Sequence, residues 1–355
     1  MNNRENVLRA LRRNSPESVP FDFVLCPSQI ERFEKETGTA DYMEYFKFPF
    51  RYIEPNETNK NYDYTKYYEN LPEDATPLSW NPEWGILGKA SGTEHFQGML
   101  HPMQNFSSIE QFEEYPLPDF EEKYRWDGVD KRVQGLKDKD LIAVANMQMT
   151  IFEIAWYLRG LDNFFLDMMT QEHISEYLLE RVTQLRETMA ANYAKSGVDI
   201  LMLGDDIASQ RGMMMDPQMW RDVLKPKLRR VIKAAKDVNP YVLIFYHSDG
   251  NLLEAIPDLI EIGVDVLNPV QPECMDPVAL KKEFGNALSF WGCVGTQSVL
   301  PFYAADQVEQ TCKKLIEEVG KGGGLLLAPT HVVEPEVPFE NMMAFLNAVE
   351  KYGKY

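Results

Sequence analysis

Two histidines and a group of carboxylates stand where a fold could assemble chemistry. His247-Ser248-Asp249 follows the apolar run YVLIFY, and His331 follows GLLLAPT. Side chains at i and i+2 just past a strand end can turn toward one point as the chain leaves the sheet, and a third group can reach that point from another strand. His247, Asp249 and His331 form such a set: two imidazoles and a carboxylate suit zinc or another divalent first-row metal. The same residues would also serve as a hydrogen-bonded pair in which Asp249-Gly250-Asn251 caps the next helix. Gly204-Asp205-Asp206 ends the run VDILML. Two adjacent carboxylates are costly to bury ionised, so one should face the cleft. It would act there as general acid or base, or pair with a cationic substrate group or a metal ligand's imidazole. The plainer reading is one capping and one solvated aspartate. Asp205, Asp206, His247 and His331 are the catalytic candidates.

Polar residues at further strand ends extend the site. Asn146, Asn268, Gln271 and Gln297 offer amides that can orient a substrate. Cys293 is either a thiolate ligand or a small buried filler, an ambiguity Cys26 shares. Met214, within Met213-Met214-Met215 after Arg211, offers soft apolar surface to a flat ligand or ordinary packing. Trp80, Trp84 and Phe96 read as packing or as a lid. His95, His101 and His173 have no evident partners in the sequence.

These residues need elements to hold them. A short amphipathic helix is expected over residues 3–12, a strand at SVPFDFVL, irregular chain or short helices over 41–76, and a hairpin over 77–103. From 139 onward apolar strands alternate with helices: DLIAVANM, one helix over TIFEIAWYLRGLDNFFLDMM and another over HISEYLLERVTQLRETMAANYAKSG, then VDILMLGDD, YVLIFYHSDG, VDVLNPVQ, LSFWGCVG and GLLLAPTH with helices between and after. Strands apolar throughout, joined by crossovers of helical length, argue a parallel sheet covered on both faces. Polar residues fall at the C-terminal tip of nearly every strand, and no G-x-G-x-x-G follows any of them. A (β/α)8 TIM barrel, with N-terminal extra helices and an inserted β-hairpin, is therefore expected as a single domain over 1–355.

Composition narrows the function. The 355 residues carry 36 Lys and Arg against 55 Asp and Glu, a net charge of −19, the wrong sign for a nucleic-acid partner. No apolar run approaches the eighteen residues of a membrane span, and the N-terminal stretch lacks the apolar core of a secretory signal. Four scattered cysteines read as reduced thiols, and a cytoplasmic location is expected.

The stretches FEIAWYLRG, VDILMLGDDIASQRG, HSDGNLLEAIPDLIEIGVDVLNPVQ, ALSFWGCVGTQSVLPF and GGGLLLAPTHVVEPEVPFEN resemble the uroporphyrinogen decarboxylase superfamily, and PEWGILGKASGTEHFQGMLHP fits it less tightly. The resemblance implies one TIM barrel with a deep cleft at its C-terminal rim, and a homodimer. Its decarboxylase branch removes acetate carboxyls from a porphyrinogen, using arginines of an R-Q-A-G-R-Y-type motif. The matching stretch here, FDFVLCPSQI from Phe21 to Ile30, holds none. Its cobamide-dependent methyltransferase branch binds zinc through H-x-C and a distant cysteine and so activates a thiol. Here Asp249 replaces the first cysteine, and His331 stands where the second would be. The H-S-D-G-N form and the G-D-D tip look closest to relatives that demethylate methoxylated or methylamine-type compounds. The resemblance thus implies a zinc-dependent methyltransferase exchanging a methyl group between a small donor and a corrinoid protein. Porphyrinogen decarboxylation is the alternative, and a non-catalytic tetrapyrrole- or partner-binding barrel is a third reading.

Overall fold

The structure is a computed structural model and describes residues 1–77, 82–90, 97–170 and 172–355. Seven parallel strands form one sheet: β1 (Phe50–Ile53), β2 (Ile142–Gln148), β3 (Ile200–Gly204), β4 (Leu243–His247), β5 (Val266–Asn268), β6 (Ser289–Val294) and β7 (Leu325–Pro329). Their spatial order is their chain order. Helices cover the sheet: α1 (Phe152–Arg159) and α2 (Glu172–Ser196) follow β2, and α3 (Lys225–Val238) follows β3. Then α4 (Ile256–Ile262), α5 (Pro277–Phe284), α6 (Ala305–Glu318) and α7 (Phe339–Tyr352) follow β4 to β7 in turn. Ala143–Ala145, Leu201–Leu203 and Leu325–Leu327 are almost fully buried, as parallel strands covered by helices require.

The sheet curls. In a flat sheet β1 and β6 would stand five strand spacings apart, roughly 24 Å. Instead the Phe50 ring on β1 lies 4.8 Å from the Trp291 ring on β6, and Phe245 on β4 lies 5.3 Å from it. The expected strand SVPFDFVL runs as an extended segment beside β7. It bridges Leu327 through Phe21 and Val333 through Leu25. Leu327 N–H donates to Pro20 O at 2.9 Å, and Asp22 N–H to Leu327 O at 3.2 Å. On its other side, Phe21 and Phe23 pack edge-on against Phe48, just before β1, at 5.4 and 5.1 Å.

Three local expectations change. β1 lies inside the 41–76 stretch expected to be irregular or short helix: four residues carrying Arg51 and Tyr52 give no apolar run to read. The single helix expected after β2 is two, α1 and Leu161–Thr170, broken at Gly160 with φ +86°. In the hairpin region Leu87–Ala90 pairs antiparallel with Gln97–Leu100 and with Thr76–Pro77, while the connecting residues 91–96 lie outside the described residues. Among the described residues no helix is long and apolar enough to cross a membrane.

Candidate metal centre at the strand tips

β3, β4 and β5 lie side by side, and their register assembles the site. Gly204 pairs with His247, and His247 with Asn268. The strands approach so closely that a Cβ on Gly204 would stand 2.7 Å from the His247 Cβ. Asp206 and Asp249, each two residues on, therefore meet: Asp249 N–H donates to Asp206 Oδ1 at 2.8 Å. His247 Nε2 lies 3.7 Å from Asp206 Oδ1 and 3.9 Å from Asp249 Oδ1. One ligand atom from each of the three falls within 4.8 Å of the others.

Asn268 sets the imidazole. Its Nδ2 donates to Trp291 O at 2.7 Å, which leaves Oδ1 to accept from His247 Nδ1 at 2.5 Å. The other ring nitrogen then faces the two carboxylates, the arrangement by which outer partners orient metal-ligating histidines. Asp249 Oδ1 is buried with no hydrogen-bond partner. Burial raises the Asp249 carboxyl above the ordinary range, the His247 charge opposes this, Asp206 adds to it, and the His331 charge opposes it more weakly.

The paired aspartates divide their work. Asp205, 4% exposed, turns back and accepts from Ile151 N–H and Glu153 N–H, both at 3.0 Å. It caps α1 from a neighbouring strand, which supplies the side-chain cap that Ile151 cannot. Burial pushes its carboxyl up to about 6 against these hydrogen bonds. Only Asp206 faces the cleft. Behind it lies Glu153, which the sequence reading passed over. Glu153 Oε1 accepts from Tyr157 Oη at 2.8 Å and Oε2 from Asp206 N–H at 3.1 Å. Burial first, then the Asp206 and Asp205 charges, hold it well above the ordinary range. The available signal was a lone acid in the apolar run IFEIAWYL.

The other candidates separate. His331 stands outside the trio, 40% exposed, with Nδ1 3.9 Å from Glu334 Oε1; the third position beside His247 and Asp249 is filled by Asp206. Gln271 is buried and accepts from Gly250 N–H at 2.6 Å, so it holds the His247–Gly250 loop and shows no open face to a substrate. Cys293 is 1% exposed, and burial pushes its thiol up, which removes it as a thiolate ligand and as a lining residue. Asn146 is exposed in the middle of β2, a strand paired on both sides, which requires an open space inside the curl. Gln297 is exposed beyond β6, and Met214 is 38% exposed after the short hairpin pairing Ala208–Ser209 with Gly212–Met213. Trp84 is buried beneath the Arg186 guanidinium, 5.1 Å from its ring. His101 Nδ1 lies 2.8 Å from Tyr157 O, and His173 is exposed. Trp80, His95 and Phe96 lie outside the described residues.

Comparison with known proteins bears on both fold and family. The methylcobamide:CoM methyltransferase MtaA of Methanosarcina barkeri is 25% identical over 179 residues, 49% of this chain and 49% of that protein. The uroporphyrinogen decarboxylase of Rickettsia africae is 27% identical over 181 residues, 50% and 49% of the two chains. The chain thus spans about half the length of the curated relatives it matches. The solved structure of a methyltransferase from Methanosarcina mazei superposes with a TM-score of 0.67 over 98% of both chains at 18% identity, a likeness of fold. The profile of the family described as uroporphyrinogen decarboxylase (URO-D) matches residues 101–352, and the chain belongs to that family.

Proposed function

We propose that the chain is a methyltransferase of this family. Asp206, His247 and Asp249 hold a divalent metal ion, and a methyl group passes to or from a corrinoid carried by a partner protein. In this reading the Pro20–Cys26 segment completes the curl as the eighth stave of a (β/α)8 barrel, with the site at its C-terminal rim.

The observation that carries the reading is the bare Asp249 oxygen beside an imidazole nitrogen and a second carboxylate. A carboxylate oxygen left unpaired in the interior is costly. A cation between the three side chains satisfies it. One nitrogen and two oxygens fit zinc, and they also fit iron or manganese, as harder donors than thiolates. Bound there, the ion supplies Lewis acidity toward a thiol or a heteroatom of the substrate. The chain's own residues prepare the place. Asn268 fixes the imidazole, Asp205 ties the β3 tip to α1, and Gln271 holds the His247–Gly250 loop. Glu153, whose carboxyl burial raises well above the ordinary range, backs Asp206 through its backbone N–H.

The similarity to a methylcobamide:CoM methyltransferase supports methyl transfer and a corrinoid partner. Similarity to the Rickettsia decarboxylases favours porphyrinogen decarboxylation as the second reading. Against it, no arginine lies between Phe21 and Ile30 to hold a polycarboxylate. Elemental analysis of purified protein before and after zinc reconstitution tests the proposal. About one ion per chain is expected, lost in His247→Ala and Asp249→Asn. A wild-type protein that retains no divalent ion overturns it, and measurable porphyrinogen turnover by that protein establishes the second reading instead.

A further inference from the structure

The Pro20–Cys26 segment has an outer face. Asp22 and Val24 alternate along it with Phe21, Phe23 and Leu25. Phe21 and Phe23 lie on the helix side, each 6.3 Å from the Phe345 ring of α7. The helix Pro27–Thr37 and α7 flank that face, and a cavity of about 400 Å³ lies between them. Small-molecule sites span roughly 300–1,000 Å³. The floor is apolar: Phe23, Phe33 and Met342 are buried, and the Phe46 ring lies 5.3 Å from Phe23 and 5.7 Å from Phe33. Tyr45 and Met343, 54% and 40% exposed, mark the opening. No lining residue belongs to the Asp206–His247–Asp249 trio or bonds to it.

One buried polar group interrupts this apolar lining. Gln29 is 4% exposed. Its Nε2 donates to Glu334 O and Val337 O, both at 2.9 Å, which fixes the amide and turns its oxygen away from the 334–337 turn. Among the described residues Oε1 accepts from no donor, and it opens to the cavity that Gln29 lines. An acceptor left unpaired in an apolar enclosure is costly, and a ligand N–H or O–H satisfies it. Charge narrows the ligand further. Glu36 and Glu350 line the cavity near the C-terminal ends of their helices, where the dipoles are also negative. Among the described residues no lysine or arginine lines it. An anion is therefore repelled. Both glutamates are exposed to water, so neither requires a cation in the cavity.

We infer that this cavity is a second binding site, taken by a small neutral aromatic or alicyclic molecule that carries one N–H or O–H donor for Gln29 Oε1. The inference is independent of the methyltransferase reading, since the cavity lies on the helix side of the curl. Indole and its isostere benzofuran, which lacks the donor, serve as probes, with indole-3-carboxylate as the anion. Calorimetry on the whole protein reads binding. Indole binds saturably and about fivefold or more tighter than benzofuran, as a donor meeting an unpaired acceptor requires. Indole-3-carboxylate binds about tenfold or more weaker than indole. Gln29→Met lowers indole to the benzofuran level and leaves benzofuran unchanged. Leu346→Trp, which fills the cavity, removes both while thermal unfolding stays at the wild-type temperature. Equal binding of indole and benzofuran by wild type, undiminished indole binding in Leu346→Trp, or no saturable binding of either probe overturns the site. The comparison of probes on wild type decides even where Gln29→Met does not fold. A protein that is dimeric in solution, loses the dimer in Tyr45→Glu and binds neither probe also overturns the ligand and assigns the cavity to a second copy of the chain.

Discussion

Asn268→Ala isolates the residue that aims the imidazole without removing a proposed ligand. Asn268 links His247 Nδ1 to Trp291 O through bonds of 2.5 and 2.7 Å. Truncation leaves one donor and one acceptor unpaired near the base of the site. A buried group left unpaired costs about 1–3 kcal/mol, so metal-free protein should lose about 2–4 kcal/mol, the lower end applying because His247 is partly exposed. The freed ring can rotate away from Asp206 and Asp249. Loss of an outer partner of this kind weakens metal binding by about 10–100-fold, or about 1.4–2.8 kcal/mol. Asn268→Asp keeps the acceptor and should recover most of the affinity while losing the bond to Trp291 O. Zinc titration against a chromogenic chelator measures the first quantity, and urea unfolding of metal-free protein the second. If Asn268→Ala is folded and binds zinc as tightly as wild type, Asn268 does not orient a ligand and the coordination geometry argued above is wrong.

Three further perturbations test other parts of the reasoning. Gly250 has φ +86°, and a Cβ there would lie 2.5 Å from Ser209 O and 2.8 Å from Ala208 O. Gly250→Ala should cost about 2–4 kcal/mol from left-handed backbone and overpacking, and should abolish zinc retention, as thermal unfolding and metal analysis would show. Burial holds the Asp22 carboxyl up to about 7, above its unfolded value of 3.8. The folded state therefore binds the proton more tightly, and this stability is present in acid and lost as pH rises through 7. Asp22→Asn should gain on the order of 2 kcal/mol over wild type between pH 5 and pH 8 after allowance for partial exposure, read from Tm against pH; parallel curves would contradict the assignment. Cys293 should resist iodoacetamide at pH 8 in folded protein, and Cys293→Ala should keep full zinc stoichiometry at a stability loss of about 1 kcal/mol.

The alternation of apolar runs with helical crossovers was enough to read six of the seven strands, because strands buried on both faces leave an unbroken apolar signature. β1 escaped because Arg51 and Tyr52 break that signature in a strand of four residues. Arg51 turns outward to Glu44, and Tyr52 looks into open space. Gly160 lies inside the stretch expected as one helix after β2, and its positive φ makes it a terminus instead. The capping role of Asp205 was among the readings the sequence allowed. Its partner could not be seen, since α1 lies more than forty residues earlier in the chain.

The choice between Asp206 and His331 shows what spacing cannot supply. Both stand at strand tips, and H-x-D with a distant histidine reads as well as H-x-D with a distant aspartate. Register decides. β3 is the immediate neighbour of β4, and Gly204 pairs with His247, so the residue two beyond each lies at one level and within reach across a single strand spacing. β7 is three strands away from β4 along the sheet; the curl brings the His331 charge within reach of Asp249, but its Nδ1 lies 3.9 Å from Glu334 Oε1 and its ring falls outside the group of ligand atoms formed by Asp206, His247 and Asp249. A G-x-D tip beside an H-x-D tip is thus a two-strand unit: the glycine permits close approach and the two aspartates close over the imidazole. Sequence carries both halves of that unit, but the fact that they are neighbours is a property of the sheet. In the proposed metal site this unit would let oxygen donors stand where the resemblance implied thiolates, since β3 brings a second carboxylate beside His247 and Asp249.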